Sequence, residues 1–301
     1  MSSWNDETFK VLSSYVKKRN ASADVLFYDV SALTDLERSK LNPLIEREGS
    51  VVVVSPAQPH PSNQSIRHYD TADLFLRSGD HPARAIVLAG VGSSVLGAAA
   101  LARNVANVYQ MDVACVVTGY GMADILTEAL GGWFFFGAVD RARMEFQAFL
   151  KEFPQLEWGL KVAESATVGG WNRLPLFVPP GAQDIATLLQ ILSAQTAELR
   201  LLLGHSKGSL LISYVLKQLM THHSSHVCLD KLQVVTLGTV SDLPDMCQKR
   251  WQFIGDLDWF GGINSRVGLP RTLVPNAWHH TNTKLPYHLS VEEVLRGVTL
   301  L

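Results

Sequence analysis

Apolar residues along this chain alternate between two spacings. Short runs rich in Val, Ile and Leu recur at 25–30, 51–54, 86–89, 113–118, 199–203, 232–237, 251–254 and 271–274. Gly, Pro or polar residues punctuate them, and each predicts a strand. Helical spacing fills several of the gaps. Residues 95–108 are rich in Ala and Leu, and 184–197 form a second helix with Asp184 as a plausible N-cap. Leu210, Leu211, Tyr214, Val215, Leu216 and Leu219 share one face of a third. The chain ends in a helix over 290–296, with Ser290 and Glu293 spaced as a capping box. Residues 1–20 read as an amphipathic surface helix, and 58–70, with Pro59, His60, Pro61 and Asn63, as a loop. The helix over 95–108 between two strands predicts a parallel βαβ unit. Strands alternating with helices predict an α/β class: an open, mostly parallel sheet with helices on both faces.

Residues 119–181 break this rhythm. Aromatic residues crowd the stretch (Trp133, Phe134, Phe135, Phe136, Phe146, Phe149 and others), and Gly131-Gly132, Pro154, Gly169-Gly170 and Pro179-Pro180 interrupt its helical patterns. Such a segment predicts an aromatic-rich cap inserted into the α/β domain. The organisation read from the sequence is therefore an N-terminal extension over 1–80, packed on the core. It precedes an α/β domain over 81–301 whose cap, or lid, spans about 119–181.

Composition narrows the function. With 301 residues and 47% hydrophobic content, the chain can build a substantial core. The net charge is -2 and no long basic run exists, so nucleic acid is not an expected partner. Cys115, Cys228 and Cys247 lie far apart, which is neither a disulfide framework nor a zinc pattern and suits a reducing compartment. Residues 85–102 carry no charge, but Gly90, Gly92, Ser93, Ser94 and Gly97 split them into a buried strand, a turn and a buried helix rather than a membrane span. The first residues lack a signal peptide's apolar core, so a cytoplasmic location is expected, with secretion by a signal-independent route left open.

The candidate chemistry centres on Gly204-His205-Ser206-Lys207-Gly208, a G-x-S-x-G pentapeptide between an apolar strand and a helical pattern. A serine in such a tight strand-to-helix turn is held out at the sheet edge beside a helix N-terminus, where it can act as a nucleophile. A nucleophilic serine needs a base, and the base needs an orienting acid, both expected in loops after later strands. Phe253 to Asp258 reads as a strand ending in Gly-x-x-Asp, and Thr272 to His280 as a strand followed by a histidine loop. Asp258 is the candidate acid, with Asp242 and Asp256 as alternatives. His279 is the candidate base, with His280 and His288 as alternatives.

In these residues the chain resembles the α/β-hydrolase superfamily, whose triad members follow in the order Ser, acid, His. The resemblance covers roughly residues 85–301, and the elbow is its specific motif. The Gly-x-x-Asp falling on Asp258 is similar to the family's acid position, and Val-Pro-Asn-Ala-Trp-His, falling on His279, to its final strand and histidine loop. Residues 86–94 look like the oxyanion strand and loop, with Ala89 where many members carry His. The resemblance thus implies that the backbone N–H groups of Lys207 and Val91 hold the oxyanion. A looser likeness to class 3 lipases rests on Gln233-Val-Val-Thr-Leu-Gly238. Lys207, where those lipases often carry Leu, and the lack of an Arg-Gly-Thr type oxyanion loop depart from it.

The resemblance implies a serine hydrolase that cleaves carboxylic esters through an acyl-enzyme, without cofactor or metal. The aromatic run 131–137 favours lipid-like or other apolar acyl substrates, as in a lipase, phospholipase or esterase. It also allows a transient contact with a membrane interface. Two other functions stay open: an acyltransferase with the same triad, and a non-catalytic binding module on the hydrolase scaffold. His222, His223 and His226, with Asp230 as their nearby carboxylate, read as a polar turn ending the elbow helix rather than as a metal site. Gly90 to Gly97 lacks the Lys-[Ser/Thr] of a phosphate loop.

Overall fold

Val51–Val54 is a run of four β-branched residues with every member buried, and it forms a strand (β1) in the interior of a sheet. A computed structural model describes residues 24–42, 47–58, 65–78, 84–90, 93–118, 183–195, 199–222, 231–245, 247, 249–266 and 268–300. The other strands are β2 (Ile66–Tyr69), β3 (Ala85–Leu88), β4 (Val113–Val116), β5 (Leu201–His205), β6 (Gln233–Leu237), β7 (Lys249–Gly255) and β8 (Thr272–Val274). They build one eight-stranded sheet in the order β2-β1-β4-β3-β5-β6-β7-β8. The pairs from β4 through β3, β5, β6 and β7 to β8 are parallel, while β1 runs antiparallel to both of its neighbours. The expected mostly parallel α/β sheet is present.

Both faces are covered. Alternate residues (Val52 and Val54, Val87, Val113 and Cys115, Leu201 and Leu203, Val235 and Leu237) share one apolar cluster. That cluster includes the helix Val95–Tyr109 (α3) and the terminal helix Val291–Arg296 (α7). The intervening residues, Ile86, Leu88, Leu202 and Val234 among them, point to the opposite face and are equally buried. On that face lie Gln183–Gln195 (α4) and Lys207–His222 (α5), with Leu188, Ile191, Ile212 and Val215 inside. Burial on both faces explains why these strands read as continuous apolar runs.

Helix ends follow local chemistry. Ser94 caps α3 by accepting from the Leu96 N–H, and α3 ends at Gln110 in the left-handed region. The Ser290 hydroxyl accepts from the Glu293 N–H at 3.2 Å. Thr34 and Glu37 form a reciprocal capping box on Asp35–Lys40 (α1). Ala72–Arg77 (α2) follows β2, and Trp259–Asn264 (α6) follows β7.

Three sequence expectations are corrected. Residues 25–30 are not a strand: 24–27 are helical, the Tyr28 N–H donates to the Asp24 carbonyl, and Val30–Ala32 is a 3-10 turn. Val25 and Leu26 are more than half exposed here, so the apolar run does not mark burial. Residues 66–69, expected within a loop, form β2. As the edge strand it is only partly buried and carries the polar Arg67 and His68, which hid its strand character. Asp184 is the second residue of its helix rather than the cap, and its carboxylate accepts from the Ile185 N–H.

The segment before residue 80 also does more than pack on the core, because β1 and β2 belong to the sheet itself. The cap expected over 119–181 lies outside the described residues, as does the helix expected over 1–20. Among the described residues, no helix is long and apolar enough to cross a membrane.

Candidate active site

The carboxyl ends of the central strands finish side by side. Leu88, Gly204, Thr236 and Gln252 share one rung of the sheet, so the loops after β3, β5, β6 and β7 leave from the same edge. Ser206 is the first residue past β5 and directly precedes α5. Its φ is 53°, in the left-handed region that a β-carbon disfavours. Packing enforces the turn. A β-carbon on Gly204 would overlap the Ser209 backbone, and one on Gly208 would overlap the Leu88 carbonyl. Helix and strand therefore approach more closely than any other residue would permit. The Ser206 N–H donates to the Leu237 carbonyl at 2.9 Å, which fixes the turn against β6.

The structure brings Ser206, His279 and Asp258 together. The Ser206 hydroxyl donates to His279 Nε2 at 2.9 Å, and His279 Nδ1–H donates to Asp258 Oδ2 at 2.8 Å. All three are buried, at 8%, 2% and 3% exposure. Asp258 also caps α6, its Oδ1 accepting from the Gly261 N–H at 2.6 Å, so both carboxylate oxygens are engaged. Phe260 meets the His279 ring edge-on at 4.8 Å between centroids, and Phe27 flanks it at 6.3 Å. The imidazole is thus held by packing as well as by hydrogen bonds. This geometry suits proton transfer from the serine to His279, with Asp258 fixing the tautomer that leaves Nε2 able to accept.

The alternative acids and bases lie elsewhere. Asp242 pairs with Lys217 at 2.9 Å and with Arg266 at 3.2 Å on the surface. The Lys217 ammonium bonded to it holds its carboxyl below the usual range. Asp256 is exposed. His280 donates through Nε2 to the Pro286 carbonyl, and His288 through Nδ1 to that of Leu285.

The two oxyanion candidates divide. Lys207 opens α5, so its backbone sits at the helix end that favours negative charge. Its partly buried side chain faces desolvation, which pushes the ammonium down to about 8 against the opposing pull of Glu48. Val91 lies outside the described residues. Its neighbour Gly90 is described and abuts the nucleophile: a β-carbon there would stand 3.1 Å from the Ser206 Cβ. The Gly90 N–H is not an oxyanion donor, because it donates to the Tyr28 hydroxyl at 2.6 Å. Among the described residues no group of His, Cys, Asp or Glu is placed to hold a metal ion. His223, His226 and Asp230 lie outside them.

Sequence reasoning passed over Tyr28, His205 and Asp24. Tyr28 lies in the segment read as a strand of the extension, and His205 is the unspecified second position of the pentapeptide. Asp24 is buried at 1% exposure, where it accepts from the N–H groups of Ser94 and Gly97 and from the Ser94 hydroxyl. Burial pushes its carboxyl up to about 7. The signal available was faint: acidic residues bracketing an apolar run at Asp24 and Asp29, and a histidine closing an otherwise apolar strand.

In comparisons with known proteins, the chain matches no family model, no curated protein and no solved structure.

Proposed function

We propose that the protein is a serine hydrolase of α/β-hydrolase type that cleaves carboxylic esters through an acyl-enzyme. The observation that carries this reading is the hydrogen-bonded chain from Ser206 through His279 to Asp258, with Ser206 held at φ 53° beside a helix N-terminus. In the proposed reaction, Ser206 Oγ attacks the ester carbonyl carbon as His279 takes its proton. The tetrahedral intermediate collapses, and His279 returns the proton to the leaving alcohol. Water, deprotonated by the same imidazole, then attacks the acyl-enzyme, and the proton passes back to Ser206 Oγ as the acid leaves. Asp258 stabilises the imidazolium in both halves. The N–H of Lys207 and that of Val91 are the proposed oxyanion donors.

Apolar acyl groups are the favoured substrates on two grounds. The aromatic run 131–137 lies in the segment proposed as a lid. Leu257 and Trp259, on either side of buried Asp258, are 47% and 55% exposed. The test is labelling with a fluorophosphonate probe, followed by p-nitrophenyl esters of rising chain length. Wild type is expected to label at Ser206, to lose labelling in Ser206→Ala, and to prefer the longer acyl chains. A folded wild type that neither labels nor hydrolyses these esters, with and without detergent, sinks the reading.

A further inference from the structure

Four polar groups that the proposed chemistry does not use form one continuous path around the nucleophile. His205 Nε2 lies 2.8 Å from the His279 carbonyl oxygen, which can only accept, so Nε2 carries a proton. Burial holds His205 far below its ordinary value, at about 3, so the ring is neutral and Nδ1 has a lone pair. Nδ1 lies 2.8 Å from the Tyr28 hydroxyl, which must therefore donate to it. The same hydroxyl accepts from the Gly90 N–H at 2.6 Å. The direction of every bond is thereby fixed: Gly90 N–H to Tyr28 oxygen, Tyr28 O–H to His205 Nδ1, His205 Nε2–H to the carbonyl of His279.

The path joins the two loops on which the proposed reaction depends. Gly90 begins the loop proposed to supply the oxyanion donor Val91, and His279 is the proposed base. The surrounding segment ties down the same two loops from outside. Asp24 binds Ser94 and Gly97 at the start of α3. The Phe27 carbonyl accepts from the Thr281 N–H at 2.8 Å, and the Val25 carbonyl accepts from Asn282 Nδ2 at 2.6 Å. Residues 24–28 are therefore a strap across the site, and Tyr28 is the member that reaches its centre.

We infer that Tyr28 and His205 are positioning residues which lock Gly90, two residues past β3, and the backbone of His279 into one register around Ser206. This inference rests on the serine-hydrolase reading. Neither side chain is hydrogen-bonded to Ser206 or to the His279 ring nitrogens; both act through the bonds that tie Gly90 to the His279 carbonyl, and the His205 ring packs on that of His279 at 5.0 Å between centroids. Displacements of about 1 Å in such groups cost on the order of 100-fold in rate.

The variants are Tyr28→Phe and His205→Leu, which break the path, and His205→Gln. The glutamine amide can accept from Tyr28 through its oxygen and donate to His279 through its nitrogen. With p-nitrophenyl butyrate, Tyr28→Phe and His205→Leu are expected to lower kcat by about 100-fold, with KM within about threefold of wild type. His205→Gln is expected to recover most of that loss, which a purely space-filling role would not produce. Nitrogen-15 spectra of the wild-type histidines supply a readout independent of turnover: His205 should stay neutral, with its proton on Nε2, from pH 5 to 8.

A His205 that titrates in that range, or carries its proton on Nδ1, overturns the path whatever the activity. Labelling of wild-type Ser206 together with near wild-type kcat in Tyr28→Phe and His205→Leu overturns the positioning role alone. A wild type that neither labels nor turns over removes the hydrolase reading, and this inference with it.

Discussion

The elbow at 201–209 and the strap at 24–28 meet at His205, next to the candidate nucleophile, but they encode their roles differently. The elbow carries its instructions locally. Gly204 and Gly208 sit where neighbouring backbone leaves no room for a β-carbon, and an apolar strand and an apolar helical face adjoin them. The strap carries almost nothing locally. Tyr28 reaches a histidine 177 residues away and an amide 62 residues away. Its Val25 and Leu26 face outward, against the expectation that apolar runs are buried. A role set by backbone strain leaves a short motif; a role set by long-range hydrogen bonds leaves only scattered polar residues.

That contrast can be broken first at the elbow. On the proposed reading, Ser206→Ala lowers kcat by about 10⁵-fold or more, and Asp258→Asn by about 10⁴-fold, both measured with ester turnover in folded protein. Retention of activity in either would detach the motif from the chemistry. Away from the elbow, the largest effect is on stability. Arg103 of α3 bonds Glu37 of α1, with both side chains almost fully buried. Arg103→Met removes the carboxylate's counter-charge while its bonds from Thr34 remain, and should cost about 3–5 kcal/mol in urea unfolding. A loss below about 1 kcal/mol would mean that water reaches Glu37.

Gly208→Ala comes next. Its β-carbon would overlap the Leu88 carbonyl, so strand and helix must separate, at about 1–3 kcal/mol. Denaturant midpoints that do not move would contradict the close approach.

The pH dependence of stability separates the two polar anchors, because their shifts have opposite signs. His205 falls from an ordinary value of 6.5 to about 3, so the stability linked to it is present above 6.5 and is lost as pH drops toward 3. Asp24 rises from 3.8 to about 7, so its contribution is full below 3.8 and is lost as pH rises through 7. Relative to wild type, His205→Gln should gain stability on acidification below pH 6.5, and Asp24→Asn should gain it as pH rises from 4 to 7. Thermal melts across this range check both, and slopes of the same sign would refute the assignment. The smallest effect belongs to Asp242→Ala. Its partly exposed ion pairs with Lys217 and Arg266 should cost less than about 1 kcal/mol, with ester turnover unchanged. A kcat loss near that of Asp258→Asn would instead make Asp242 the acid.

Much of the architecture was legible because burial on both faces writes itself into composition. The apolar runs at 51–54, 86–89, 113–118 and 232–237 all fall on strands, and the Ala-rich stretch falls on α3. The edge strand β2 was not legible, since with one partner and partial burial Arg67 and His68 are acceptable there. The candidate nucleophile was legible for the same local reason as the elbow. Asp258 and His279 were legible as positions in loops after strands, but the choice between His279 and His280 was not. Adjacent side chains leave a loop in different directions, and only the fold says which one faces the serine.

Local pattern fixes the alternation of strands and helices, the tight serine turn and the pair of loops in which an acid and a base would lie. These follow from periodicity, close backbone approach and chain order, all of which act over neighbouring residues. The assembled fold is what sets Asp258 rather than Asp242 against His279, and β1 and β2 into the sheet. It alone brought Tyr28 to His205. A hydrogen bond is fixed by distances of about 3 Å between groups, whatever their separation along the chain. Such pairings exist only once the sheet has placed the loops side by side.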